Sequence, residues 1–501
     1  MILLSYGPEP YASANSAISA FAIPHQVAFP ECFIIIAQMD AIVKHFFEIF
    51  QKNFSHGFFH QMRGILTIIS CNHHTKRLSL QNTDLHPPPF FEKARPVLQK
   101  VLHFPSKYAI IEGIAIDRKD DEAMAAYLDN AATTRPCAEC IDAMTDALRN
   151  TYGNPSSLHR KGLEAQLVVD AARKQVAAAL SCEPERILFT SGATESNNLA
   201  IFGTAGAYGK RRKKMVVTAV EHASVRAAYD RLEELGFTVI RVAPNTDGEL
   251  NAEAFLSEID ETTCLASMML VNNETGAVLP VRRTFYAAKK KYPQLITHCD
   301  AVQGFLKIGC TVNELEADLI SISAHKIHGA KGAGALYIRK GVRLTPLLYG
   351  GEQEHKLRPG TESVPLIAGF GAAVAMMRKT LPHRTERVTQ LRKEAVRQLS
   401  AMEGVVIHEP GTCSPYILSA AVRGLRAETL LHFLAEREVY VSSGSACSKG
   451  KPSGVLQAFR IPNDLADSTI RISFCAENTA YDIKCLAEGI AAAQQQLIHK
   501  R

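Results

Sequence analysis

From Met124 onward the chain alternates short β-branched runs with helix-compatible stretches, and nothing else in it narrows the architecture as far. Residues 187–190, 215–218, 238–242, 265–271, 295–298 and 319–323 each read as a buried strand, with helices at 223–235 and 281–291 between them. Strands separated by helices at this spacing give an α/β fold, with a mostly parallel sheet covered on both faces. Such a sheet places its ligand at the loops that leave the strands' carboxyl ends. After about residue 380 a long charged helical stretch and further α and β signals predict a second, smaller domain.

Residues 1–123 are different material. They hold 12 of the 22 Phe, 8 of the 18 His, and 11 basic against 11 acidic residues, without a sustained helical or strand period. The whole net charge of +6 therefore belongs to the remainder. Cys71, His73 and His74 stand close together, but a tetrahedral metal site needs a further ligand at regular spacing and no second Cys/His pair follows, so no metal is expected. At 501 residues, 47% apolar and 21% charged, the chain can form roughly three domains and bury a large core, which argues against a disordered or fibrous protein. No run of 18 apolar residues occurs, and Met1-Ile-Leu-Leu lacks a positive leader, so the reading is a cytoplasmic protein with no membrane partner. The basic runs at 210–214 and 289–291 have no aromatic interleaving, so direct nucleic-acid binding is not expected. Twelve cysteines without a repeated spacing read as reduced thiols, of which position must decide any nucleophile.

The reactive residues fall in the expected loops. After the strand at 187–190 comes Ser191-Gly-Ala-Thr194-Glu-Ser-Asn-Asn198 and then a helix, whose free N–H groups and positive dipole end suit a phosphate. No Gly-Lys-Ser/Thr follows, so a nucleoside triphosphate is disfavoured. Gly329-Ala-Lys-Gly332-Ala-Gly334 precedes a strand rather than a helix and reads as a turn. His298-Cys-Asp300-Ala-Val-Gln303 and Ser323-Ala-His325-Lys326 end two further strands. Taken singly, Lys326 could be a surface lysine, Asp300 a helix cap and His222 a core histidine. Together they meet the needs of pyridoxal phosphate: a phosphate cradle, a ring stack, an acid for the pyridinium and a Schiff-base lysine.

Residues 124–501 resemble the NifS/IscS-like cysteine desulfurases, enzymes of the class-V aminotransferase family with pyridoxal-phosphate fold type I. The resemblance rests on Tyr127-Leu-Asp-Asn-Ala-Ala-Thr-Thr134, Gly153-Asn-Pro-Ser-Ser157, Thr190-Ser-Gly-Ala-Thr-Glu-Ser-Asn197, Glu221-His222 and Val271-Asn-Asn-Glu-Thr-Gly276. It continues through Asp300-Ala-Val-Gln303, Ser323-Ala-His-Lys326, Arg358-Pro-Gly-Thr361, Ser442-Ser-Gly-Ser-Ala-Cys447 and Arg471-Ile-Ser473. It implies a large cofactor-binding domain over 138–380 and a smaller α+β domain made from 124–137 with 381–501. Residues 1–123 lie outside the family pattern, and Met124 is expected to be the native start.

The resemblance also assigns roles. Lys326 would hold the cofactor and Asp300 would keep its pyridine nitrogen protonated. Gln303 would bond its phenolic oxygen, and His222 would stack on the ring and serve catalysis. Ala193, Thr194, Ser323 and His325 would bind phosphate, with Thr361 reaching the neighbouring subunit of a homodimer. Asn273 would lie by ring and substrate, and Arg471 would clamp the carboxylate of L-cysteine. Cys447 would accept the sulfur as a persulfide, leaving L-alanine, for delivery to a sulfur-acceptor protein such as an iron–sulfur scaffold or a tRNA thiolation enzyme. The Arg-Xaa-Gly-His-Xaa-Cys pattern of the selenocysteine-lyase-like branch is absent around Cys447. An aminotransferase or β-lyase on the same fold would not need Cys447, and a non-catalytic scaffold would not need Lys326, Asp300, His222 and Arg471 together.

Overall fold

A computed structural model describes residues 125–245, 249–443 and 453–497; Cys71, His73, His74 and Cys447 lie outside the described residues. Seven strands form the main sheet: β2 (Ile187–Thr190), β3 (Lys214–Thr218), β4 (Thr238–Val242), β5 (Thr263–Ser267), β6 (Ile296–Asp300), β7 (Leu319–Ser323) and β8 (Gly334–Ile338). Their spatial order is β2-β8-β7-β6-β5-β3-β4, and β8 alone runs against the other six. Every residue of β5, β6 and β7 is buried, as expected of central strands covered on both sides. Side chains alternate between the faces: Met215 and Val217 join Leu199, Tyr229 and Leu319 on one side, while Val216 joins Phe189, Ile320 and Phe370 on the other.

Helices α1 (Ala138–Asn150), α2 (Arg160–Leu180), α3 (Ala193–Tyr208), α4 (Ala223–Glu234) and α5 (Val281–Lys291) surround this sheet. Helix α6 (Val364–Ser400) is 37 residues long. Its first half is apolar and long enough for a membrane span by composition, but small residues let it lie on neighbouring helices: Gly369 faces Met144 and Cys140 of α1, and Gly371 faces Ala172 of α2. Its second half reaches other elements, with Arg392 Nε donating to the Ile417 carbonyl and Arg387 Nη2 to that of Asn478.

Beyond α6 lies a four-stranded antiparallel sheet of order β12 (Ser442–Ser443), β13 (Thr469–Ser473), β10 (Ile417–Val422) and β9 (Val405–His408). A short β1 (Ala126–Tyr127) pairs in parallel with β11 (Val439–Tyr440), so the segment at 126–127 joins the chain's later elements. Helices α7 (Ala427–Ala435) and α8 (Ala480–Gln496) pack on each other beside these strands.

Three boundaries differ from expectation. The strand expected at 265–271 ends at Ser267, because Met268 to Val271 are apolar through burial in the turn that follows. The strand expected at 295–298 runs on to Asp300. The helix expected after 380 begins at Val364, where Gly and Ala replace the charged pattern.

Candidate active site

The main sheet gathers the polar residues at one end. Thr190 pairs with Gly334, Gly334 with Ser323, and Ser321 with Asp300, so the last residues of β2, β7 and β6 share one rim. Gly334 must be glycine, since a Cβ there would meet the Gly192 Cα at 2.7 Å. This close approach brings the turn that opens α3 beside the end of β7. Gly192, at φ +155°, starts α3 without a side-chain cap, and the first-turn amides of Ala193, Thr194 and Glu195 have no acceptor among the described residues. Glu195 fixes this turn by accepting from the Ser191 amide (2.7 Å) and from Arg358 Nε (3.0 Å).

Lys326 closes a single helical turn (Ala324–Lys326) directly after β7. Its Nζ donates to the carbonyls of Ala131 (2.6 Å) and Ala132 (2.7 Å). Burial, then repulsion from Arg471, lowers its pKa to about 8, with Asp129 and Asp300 opposing. Gln303 Nε2 donates to the same Ala131 carbonyl at 2.8 Å. Asp300, at the end of β6, accepts from Asn197 Nδ2 (2.8 Å) and from the Val302 amide (3.1 Å). Asn197 also donates to Ser224 Oγ, which is 2.8 Å from His222 Nδ1. His222, an exposed residue, caps α4 through its ring Nδ1, which accepts from the Ser224 amide. Surrounding groups desolvate that ring and hold its pKa below the ordinary value, against the pull of Asp300, while Lys326, Arg226 and Arg471 add to the lowering. Burial, helped by Lys326, Lys331 and Lys307, lowers His325 to about 4, so its imidazole is neutral at pH 7.

The small sheet contributes Arg471 from the middle of β13. Its Nη1 donates to the Asn273 carbonyl (3.0 Å) and its Nη2 pairs with Asp129 (2.8 Å), while its Nε is buried without a partner. Ser323 Oγ and Asn273 Oδ1 are likewise buried without a partner among the described residues. A buried hydroxyl left unsatisfied is costly, and these atoms, with the bare first-turn amides of α3, suit a polar ligand carrying an anionic group.

The structure thus brings together Ala193, Thr194, Ser323, His325 and Lys326 on adjoining strand ends, and links Asp300 to His222 through Asn197 and Ser224. It joins Gln303 to Lys326 through Ala131, and Arg471 to Asn273. Thr361 stands apart, exposed on the loop before α6. Among the described residues no group of three or more His, Cys, Asp or Glu could hold a metal.

Sequence reasoning missed three buried ionisable groups here. Burial pushes Glu221, which accepts from Thr218 Oγ1 and the Met269 amide, up to about 8. It pushes Glu274, bonded to Ser453 Oγ at 2.5 Å, up to about 7. Lys307 is 5% exposed and burial lowers it to about 7. A charge inside the apolar run Gly304-Phe-Leu-Lys-Ile-Gly309 was the available signal for the last.

The class-V aminotransferase family model matches residues 126–486. A NifS/IcsS protein homolog of Lactobacillus delbrueckii subsp. bulgaricus is 37% identical, over 70% of this chain and 93% of the relative. A protein named cysteine desulfurase IscS from Methanosarcina thermophila is 35% identical, over 75% and 93%. Among solved structures, a NifS-like protein superposes with a TM-score of 0.71 at 36% identity, covering 75% of this chain and 100% of that one. SspA in complex with cysteine superposes at 0.62 with 30% identity, covering 70% and 99%.

Proposed function

The chain belongs to the class-V aminotransferase family, within its NifS/IscS-like cysteine desulfurases, and from that premise we propose that it moves the sulfur of L-cysteine onto Cys447, using pyridoxal 5′-phosphate. The C–S bond of cysteine breaks, an S–S bond to Cys447 forms and L-alanine leaves, so the sulfur is stored as a persulfide and no outside oxidant is consumed. The observation that carries this reading is the convergence at one sheet rim of a half-buried lysine, an aspartate, an unsatisfied Ser323 hydroxyl and bare amides at the start of α3. When bound, the cofactor supplies an electron sink for the pair left at the substrate's α-carbon.

The residues divide the work. Ala193 and Thr194, with Ser323 Oγ and the neutral His325, hold the phosphate. Asp300, steadied by Asn197, would keep the proton on the pyridine nitrogen, and His222 would cover the ring face. Gln303 meets the phenolic oxygen. Lys326, its amine lowered to about 8 chiefly by burial, would anchor the cofactor and serve as the base for the substrate's α-proton. Arg471 holds the substrate carboxylate with N–H groups not engaged by Asp129 and the Asn273 carbonyl, beside the Asn273 side chain. Burial raises the thiols of Cys137, Cys264 and Cys413 to about 11 and those of Cys182 and Cys475 to about 12, so none of these is primed for attack at neutral pH.

The same proposal holds that residues 138–380 form the cofactor domain and 124–137 with 381–501 the smaller one. It holds that the chain works as a cytoplasmic homodimer in which Thr361 serves the neighbour's site. Its sulfur passes to a protein of iron–sulfur cluster assembly or tRNA thiolation. The test is a Cys447→Ala variant, expected to keep the visible band of bound pyridoxal phosphate while producing no alanine from cysteine. Unchanged alanine production would reject the persulfide route.

A further inference from the structure

Lys307 follows β6 in a run of turns, 5% exposed, and no carboxylate lies within ion-pairing distance of it among the described residues. Among the described residues its Nζ has one hydrogen-bond acceptor, Gln303 Oε1 at 3.2 Å, and it lies 5.7 Å from the centre of the Tyr416 ring. A buried lysine without an acid is expensive, and a methionine would fill the same space more cheaply. The cost therefore calls for a role. The neighbours settle which way the Gln303 amide faces. The Ala131 carbonyl can only accept, so the NH2 group must point to Ala131 and Oε1 to Lys307, whose amine donates to it. The Ala131 carbonyl is also an acceptor for Lys326, so the fixed NH2 group stands beside the reactive amine.

We propose that Lys307 is a positioning residue that locks the Gln303 amide with its NH2 group toward the cofactor's phenolic oxygen. The inference rests on the reading of this pocket as a pyridoxal phosphate site. Without Lys307 the Oε1 end loses its donor, and the bond to the Ala131 carbonyl is left to oppose a rotation that would present Oε1 to that electron-rich oxygen and replace a donor by a second acceptor. Lys326, Arg471, Cys475, His325, His328 and the Tyr416 ring lie around Lys307, which also lines a cavity with Thr385, Glu386 and Lys393, and among the described residues none of these donates to Gln303 in its place.

The effect must depend on the phenolic oxygen. Cofactor-free wild type, Lys307→Met and Lys307→Gln are compared by equilibrium dialysis against pyridoxal phosphate and against its 3-deoxy analogue, which lacks that oxygen. Lys307→Met is expected to bind pyridoxal phosphate about tenfold more weakly, the size of one lost polar contact, and the analogue within twofold of wild type. Lys307→Gln, which keeps a donor for Oε1, is expected to stay within about threefold of wild type for both. Equal losses for the two ligands, no loss for either, or a loss in Lys307→Gln for pyridoxal phosphate alone overturns the proposal. The last comparison holds even if the methionine variant fails to fold. Wild type that binds neither ligand would instead overturn the functional reading, which separates the two failures.

Discussion

In the seven-stranded sheet the reactive groups stand where strands end; in the four-stranded sheet Arg471 stands in the middle of β13, paired with Ser419 on one side and Ser442 on the other. The parallel strands deliver main-chain geometry: a turn after β7 that aims Lys326, and a helix start after β2 whose amides lie bare. The antiparallel strands deliver one side chain at a fixed height, with Ile470 and Ile472 buried on the opposite face to hold the register. The parallel layer therefore builds a cradle, whereas the antiparallel layer supplies a single rigid clamp.

Removing the amine should break the comparison most severely. Lys326→Ala is expected to cut alanine formation from cysteine by about 10³-fold or more, since both the covalent anchor and the base are lost, as steady-state assays would show. The clamp should behave differently. Arg471→Lys keeps the charge but not the planar fork, so KM for cysteine should rise by about tenfold or more while the cofactor's absorption band stays unchanged. An altered band there would mean that the small sheet also shapes the cradle.

A stability measurement sharpens the point. Gly334→Ala inserts a methyl group against the Gly192 backbone, and about 1–3 kcal/mol of stability should be lost in denaturant titration. Weaker pyridoxal phosphate binding should accompany it. The smallest effect is on pH. Because burial lowers Lys326 to about 8, its neutral, nucleophilic form grows as pH rises through that value. Capture of pyridoxal phosphate by the cofactor-free chain, followed by absorbance, should accelerate with a midpoint near pH 8, and a midpoint near 10.5 would mean that Lys326 is not desolvated.

The parallel layer was largely legible in the sequence because buried strands leave unbroken apolar runs and strand-end loops concentrate small polar residues. Ile187–Thr190, Thr238–Val242 and Leu319–Ser323 are found where those runs lie. The run through Val271 misled because burial alone makes a turn apolar. Asp300 and Lys326 could be nominated from position, and Lys307 only flagged as a charge inside an apolar run, whereas Glu274 could not be found, since its partner is a serine 179 residues away. Arg471 was found through resemblance, because one arginine within a five-residue strand carries no periodic signal of its own.

Helix α6 binds the two layers into one mechanical piece. Its first half is seated on α1 and α2, and its second half is tied to Ile417 and Asn478 beside the small sheet. Pro382 sits between those anchorages and has no N–H to offer the carbonyl one turn earlier. Bending is cheapest at that missing rung, so a tilt of the clamp relative to the cradle would pivot about Pro382, and the rod on either side would transmit it undiminished.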